Sequence, residues 1–342
     1  MPKGETALYR NILYFWVDNL ITLRVKISIL IPVNNFDLVA FVHSLARGMD
    51  NVHEFSEILI GDDGSSEEFK RNYRSLASDR VRIVESEKNI GRAAIRNRMI
   101  LEAKGDYLLF VDADAMLTGT AEAYFNKWLE NIKLGKVICG GIIYHGSPPG
   151  DPDKTLRWTY GIKREQHKAA DRQKHSYSSF STFNVLIERS IFSKLRFYEE
   201  LKQYGYEDTL FGYQLKKAGI AVSHIDNGLV HEGLETNREF LAKTRLSIEN
   251  LSRLYDTVTD TKGFSSTVSM VHSYRILRFL HLTRVLAGIF IRYRDRMEKR
   301  LDSSKISITL FNFYKICMFS TFREIHRRRK LLPFFNIPPD II

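Results

Sequence analysis

The readable pattern begins with a β-branched apolar run at residues 27–33, closed by Pro32 and the Asn34-Asn35 pair. Runs of the same kind recur at 57–61, 81–85 and 107–112, separated by segments of helix length or by turns. Short continuous apolar runs bounded by Gly, Asn and Asp read as strands covered on both faces. Strands that alternate with helices imply a mostly parallel, doubly wound sheet with helices on both sides. A helix at 121–132, strands at 137–143 and 183–187, a helix at 206–218 and a strand-like stretch at 220–230 extend the alternation. Between 144 and 179 the pattern stops. Gly146-Ser147-Pro148-Pro149-Gly150-Asp151-Pro152 and the polar stretch 163–179 are rich in breakers and charge. That composition predicts a long loop of the kind that closes over an active site.

From Thr236 onward the pattern is helical. Residues 274–293 read as one amphipathic helix, with Ile276, Phe279, Leu280, Leu286, Ala287 and Phe290 on one side. Arg275, Arg278, His281, Arg284 and Arg292 fall on the other. Residues 306–322 form a second apolar stretch whose single charge is Lys315, followed by a basic cluster at 323–330. The expected organisation is an extension at 1–24, an α/β domain at 25–250 and a basic helical region at 251–342.

With 44% hydrophobic and 27% charged residues the chain is ordinary for a folded protein, and two cysteines exclude a disulfide framework. The charge is not evenly spread. Residues 251–342 hold 17 Lys and Arg against seven Asp and Glu, so they carry +10 of the net +11. Basic helices with Phe and Leu on the apolar side suit an anionic bilayer surface, and contact through 274–330 is expected. The plainer reading is a helical pair packed on the preceding domain or on a second subunit of a homo-oligomer. No recognition motif accompanies the basic cluster, so nucleic acid is not an expected partner. The apolar stretch at 8–23 is interrupted by Arg10 and Asp18. Neither a signal peptide nor a spanning helix is expected, and the location implied is cytoplasmic or peripheral at the inner face of the membrane.

The apolar run Tyr107-Leu108-Leu109-Phe110-Val111 ends in Asp112-Ala113-Asp114. Alternation puts the two carboxylates on one side of the extended chain, where they make a hard oxygen site suited to Mg²⁺ or Mn²⁺ shared with nucleotide phosphates. The carboxyl ends of strands are where α/β sheets bind ligands. By the same logic Asp62-Asp63, Arg92 and Arg96, Glu207-Asp208 and His231 are candidates, since each stands at a strand end or a helix start. Asn184, Trp158 and Arg164 are further donor or acceptor candidates.

These segments resemble a known family. Ile27-Ser28-Ile29-Leu30-Ile31-Pro32-Val33-Asn34-Asn35, Gly61-Asp62-Asp63-Gly64-Ser65, Asn89-Ile90-Gly91-Arg92, Phe110-Val111-Asp112-Ala113-Asp114 and Tyr204-Gly205-Tyr206-Glu207-Asp208 follow the order seen in family 2 glycosyltransferases of the GT-A fold. The Glu-Asp helix with a downstream His is similar to the galactosyltransferase-type C-terminal half of that fold, and the resemblance covers about 25–250. It implies that Asp63 accepts from the base of a uridine nucleotide, with Asp62 beside it. Pro32, Asn34, Arg92, Arg96 and Asn184 would line the donor site, and Asp112 would lie near the ribose or donor sugar. Asp114 and His231 would ligate Mn²⁺ or Mg²⁺ bridging the diphosphate. Asp208 would be the general base and Glu207 would orient the acceptor. Asn34 departs from the pattern, because many relatives carry there an aromatic that packs on the base. The implied function is a bacterial polysaccharide-type, metal-dependent transfer of sugar from a UDP-sugar to a hydroxyl of a glycan or lipid-linked acceptor, with inversion. A catalytically inactive binding protein on the same fold is the alternative. Residues 110–114 also resemble the nucleophile strand of haloacid-dehalogenase-type phosphatases, but there that strand precedes the Gly-Asp-Asp motif and here it follows.

Overall fold

A computed structural model describes residues 25–201, 204–303 and 306–331, the last four by backbone only. The extension expected at 1–24 and the side chains of Arg328, Arg329 and Lys330 lie outside the described residues. Seven strands form one sheet. In chain order they begin with β1 (Ile27–Val33), helix α1 (Val39–Gly48), β2 (Phe55–Asp62), α2 (Glu67–Ser75) and β3 (Val81–Glu85). There follow α3 (Arg92–Glu102), β4 (Tyr107–Val111), the two-residue β5 (Ala115–Met116) and α4 (Ala121–Asn131). Next come β6 (Val137–Cys139), β7 (Ile142–Ile143), α5 (Thr155–Arg164), α6 (Ala169–Lys174) and β8 (Asn184–Glu188). Then come α7 (Glu207–Lys217), β9 (Ser223–His224) and β10 (Leu229–His231).

The order in the large sheet is β3-β2-β1-β4-β8-β6-β9. All neighbours are parallel except around β8, which runs antiparallel to β4 and β6. This is the mostly parallel sheet with flanking helices that the GT-A resemblance implied. Alternate residues of β1 feed different layers. Ile27, Ile29, Ile31 and Val33 pack with Val42, Phe125 and Trp128 on one face, while Leu30 packs with Ile95 and Met99 on the other. Burial on both faces explains why the strand reads as an unbroken apolar run. The parallel order also places the C-terminal ends of β1, β2 and β4 on one edge. Because β8 is reversed, its N-terminal end and the residues before it arrive at that same edge.

Two expected strands are each split. Residues 137–143 form β6 in the large sheet and β7 in a small one, turned at Gly140-Gly141, where Gly141 has φ +99°. Residues 220–230 likewise become β9 in the large sheet and β10 in the small one, whose order is β5-β10-β7. The expected loop at 144–179 is corrected as well. It contains α5 and α6, and Leu156, Arg157 and Arg172 in them are buried. Its charges pair within the structure: Arg157 meets Glu165 at 3.0 Å, and Arg172 donates to the carbonyls of Gly140 and Ile225.

The C-terminal helices are α8 (Asn237–Thr257), α9 (Thr261–Ser265), α10 (Ser269–Phe279), α11 (Thr283–Leu301) and α12 (Ile308–Leu331). Helix α8 opens with a Thr236/Glu239 capping box and runs through the boundary expected at 250. The single helix expected at 274–293 is broken at His281, which takes φ +58° between α10 and α11. The two halves of its apolar side therefore part company. Ala287 and Phe290 are buried, whereas Phe279 is 83% exposed and Ile276 and Leu280 are exposed with it. Antiparallel α11 and α12 pack with α8 around Phe311, Tyr314 and Phe319, in a core that also takes in Leu156 of α5 and Leu210 of α7. The tail is thus fastened to the two helices nearest the candidate site. Arg323 secures it, donating to both oxygens of Asp256 at 2.8 Å. Among the described residues, no helix is long and apolar enough to cross a membrane.

Candidate active site

A cleft of about 740 Å³ lies at the sheet edge defined by the ends of β1, β2 and β4. Arg96 organises its floor. This guanidinium, on the second turn of α3, is 1% exposed and donates to Asp112 at 3.0 Å. Its other terminal nitrogen stands 3.8 Å from Asp208 and 4.0 Å from Glu207. A buried cation between three carboxylates lets them crowd together without mutual repulsion winning. Arg92, one turn earlier, reaches Glu207 at 4.0 Å and lies over the Tyr204 ring.

Glu207 and Asp208 open α7, as expected, and the residue before them is strained. Tyr206 takes φ +70°, a region that non-glycine residues seldom occupy and that concentrates at functional sites. Glu207 is buried with one carboxylate oxygen unpartnered. Burial, and after it the Asp208 charge, pushes its carboxyl above the usual range. Asp208 is held by Thr182, whose amide donates to one oxygen at 3.0 Å and whose hydroxyl donates to the other at 2.7 Å. Thr182 was not a sequence candidate. Its signal lies only in the reversal of β8, which brings residue 182 to the active edge.

Asp114 and His231 meet because β5 pairs with β10, with Ala115 opposite His231. The imidazole Nε2 is 3.5 Å from the Asp114 carboxylate, and the ring lies between Tyr144 and Phe183. A Cβ on Gly233 would stand 2.3 Å from an Asp114 oxygen, so only glycine leaves room for that carboxylate. Burial raises the Asp114 pKa while His231 pulls it back. One carboxylate and one imidazole facing a cleft fit a divalent cation whose remaining positions go to phosphate oxygens. Among the described residues, no group of three or more His, Cys, Asp or Glu is placed to hold an ion unaided.

The other candidates divide. Pro32, Asn34, Asp63 and Asp112 line the cleft. Asp63 accepts from the amides of Ile90 at 2.6 Å and Gly91 at 3.1 Å, which fixes the loop before α3. Burial nevertheless leaves its carboxyl raised. Phe36, two residues beyond Asn34, lines the same cleft. Two candidates are corrected. Asp62 is fully buried and turned into its own turn, accepting from the Ser65 amide at 3.0 Å with Lys70 at 3.9 Å. Asn184 accepts from Tyr124 at 2.7 Å and donates to the carbonyls of Gly141 and Asn227, so its polar atoms hold the strand crossings and do not face the cleft. Trp158 donates to the His145 carbonyl.

A second cavity of about 400 Å³ adjoins the first and shares Arg92, Ile142, Glu165, Ser181, Tyr204, Glu207 and Asp208 with it. Its far side is made by Tyr160 and Arg164 of α5, Phe240 of α8, and Phe311 and Lys315 of α12.

Residues 28–196, just under half of the chain, match the sequence model of glycosyl transferase family 2. An uncharacterized glycosyltransferase of Rickettsia bellii (strain RML369-C) is 30% identical over 89 residues, which are 26% of this chain and 13% of that protein. The chain thus spans a small part of that relative's length. Among solved structures, the mannosyltransferase PcManGT from Pyrobaculum calidifontis, in complex with GDP-Man and Mn²⁺, aligns over 95% of each chain with a TM-score of 0.47 and 12% identity. S. aureus TarS 1–349 aligns over 89% of this chain and 91% of its own, with a TM-score of 0.43 and 18% identity. The glucosyl-3-phosphoglycerate synthase from Mycobacterium tuberculosis, in complex with Mn²⁺, UDP and glucosyl-3-phosphoglycerate, aligns over 68% of this chain and 80% of its own, with a TM-score of 0.45 and 16% identity.

Proposed function

We propose that the protein transfers a sugar from a nucleotide-sugar donor, a UDP-sugar, to a hydroxyl of a glycan or lipid-linked acceptor. The observation that carries this reading is the position of Asp208 at the junction of two cavities, one lined by Asp63, Asp112 and Asp114 and the other by aromatic and cationic side chains. The larger cavity takes the nucleotide, with Phe36 and Asn34 at the base and Arg92 and Arg96 beside the phosphates. Asp114 and His231 would hold Mn²⁺ or Mg²⁺, and such an ion would supply positive charge against the leaving diphosphate.

Asp208 does the proton work. With Thr182 fixing both of its oxygens, it presents a lone pair toward the second cavity, from which an acceptor hydroxyl approaches. As the new bond forms to the anomeric carbon, the bond to the diphosphate breaks and the hydroxyl proton passes to Asp208. Attack from the cavity opposite the leaving group inverts the anomeric carbon. Glu207, buried beside Asp208, orients the acceptor through a hydrogen bond. The tail places the enzyme at an anionic membrane surface. The turn between α10 and α11 exposes Phe279, Leu280, Leu282 and Val285 beside Arg278 and Arg284, the charge and apolar pairing such a surface favours.

Incubation with a panel of UDP-sugars and Mn²⁺ tests the reading, scored by UDP release. Wild type should release UDP from one of them. Asp208→Asn should lower transfer by about 10² or more while UDP affinity is kept. Near-normal turnover in that variant would assign the base to another residue.

A further inference from the structure

The second cavity contains a cation without an anion. Lys315 projects from α12 to within 4.6 Å of the Tyr160 ring centroid and 4.7 Å of the Phe311 ring centroid. Among the described residues, no carboxylate forms an ion pair with it. Glu165, which lines the same cavity and whose charge it feels, gives one carboxylate oxygen to both Arg157, at 3.0 Å, and the Tyr144 hydroxyl. Burial, with the Arg164 charge behind it, brings the Lys315 ammonium down to about 8. Arg164 and His167 line the same cavity, and Arg164 is exposed there with no ion pair or hydrogen bond among the described residues. Arg172 also lines it but is consumed by backbone carbonyls and His224. The cavity's other carboxylates, Glu207 and Asp208, stand beside Arg92 and Arg96.

Lys315 is half-buried, and an ammonium partly withdrawn from water and left unpaired is costly, which a carboxylate or phosphate oxygen offsets. We propose that the acceptor carries an oxyanion, a phosphate or a carboxylate, and that Lys315 and Arg164 hold it at the far wall of the second cavity while the reacting hydroxyl lies at Asp208. Tyr160, Phe240 and Phe311 give the apolar walls against which the rest of a small acceptor packs. This inference rests on the functional reading above and assigns the C-terminal helices a part in acceptor selection.

The test is calorimetric titration of the full chain at pH 7, without donor, using glucose 6-phosphate, glucuronate, citronellyl phosphate and glucose as probes. An anionic probe should bind at least about tenfold more tightly than glucose. Lys315→Met should remove that preference, Lys315→Arg should restore it and Arg164→Met should weaken it. Preference for the sugar phosphate or glucuronate identifies a soluble anionic acceptor, and preference for citronellyl phosphate identifies a lipid-borne phosphate; either supports the proposal. In unmodified protein, the favoured probe should also slow acetylation of Lys315, read by mass spectrometry, which requires no variant to fold. Anionic probes that bind no better than glucose, or that leave Lys315 acetylation unchanged, would overturn it. Because no donor is present, failure of UDP and Mn²⁺ to bind would count against the transferase reading alone.

Discussion

The two cavities that share Asp208 have walls of different chemistry. The larger is walled by carboxylates at the ends of neighbouring strands, and Arg96 is buried among them as their common counterion. The smaller keeps Glu165, Glu207 and Asp208 in its lining, but adds aromatic rings and the cations Arg164 and Lys315, carried on α5, α8 and α12. A sheet edge gives fixed spacing to short acidic side chains, which suits a rigid nucleotide and its metal. Packed helices give a wall that varies with the sequence of each, which suits recognition of a particular acceptor. The contrast predicts that damage to the first wall will affect donor binding, and at the buried Arg96 stability as well, while damage to the second will affect selectivity.

The largest effect should come from Arg96→Met. Removing the buried guanidinium leaves Asp112, Glu207 and Asp208 facing one another, and breaking buried charge pairs from one side costs about 3–5 kcal/mol. Urea titration should show a loss of that size; a loss below about 1 kcal/mol would mean that the carboxylates are neutralised in some other way.

Acid should loosen the segment that forms the second wall. His224 of β9 accepts from Arg172 at 2.8 Å and bonds the Ser176 carbonyl at 2.9 Å, tying α6 and the chain after it to the sheet. Burial, with the Arg172 charge assisting, lowers its pKa to about 4. Between about 6.5 and 4 the unfolded chain takes up a proton that the folded chain refuses. Stability is therefore intact above about 6.5 and falls as the pH drops through that window, by up to about 3 kcal/mol. Thermal melts of wild type and His224→Gln across this range should diverge, with the variant less pH-dependent; parallel curves would contradict the assignment.

Legibility in the sequence follows the same division. Asp63, Asp112 and Asp114 follow strand ends that a parallel sheet gathers on one edge, whereas Glu207 and Asp208 open α7 and were placed in their company by the order of motifs in the family resemblance. What local pattern does not contain is the direction of a polar side chain at a strand end. Asp62 and Asn184 are as polar as their neighbours, yet one closes a turn and the other joins Tyr124, Gly141 and Asn227 across the fold. Composition misled at 144–179 because it counts charges and not pairs: Arg157 is buried against Glu165, and Arg172 is buried against the carbonyls of Gly140 and Ile225. Lys315 reads as an incidental charge on an apolar helix until α12 is seen to lie beside α5. The break at His281 left no marker, since neither Gly nor Pro occurs between Phe279 and Thr283.

The smallest expected effects concern the tail. If the exposed turn between α10 and α11 meets an anionic surface, Arg278→Gln and Arg284→Gln should each weaken vesicle binding by about 1 kcal/mol, and salt should weaken it further. Phe279→Ser should reduce it without changing the melting temperature, because that ring is solvent-exposed. Co-sedimentation with phosphatidylglycerol vesicles measures all three. Indifference of wild type to vesicles would leave the tail with its structural role alone.

The account depends most directly on donor binding through Asp114. Calorimetric titration of UDP into the full chain should give binding with Mn²⁺, none with a chelator, and a marked loss in Asp114→Ala while that variant melts as wild type does. UDP affinity that is the same with Mn²⁺ and with chelator would contradict it.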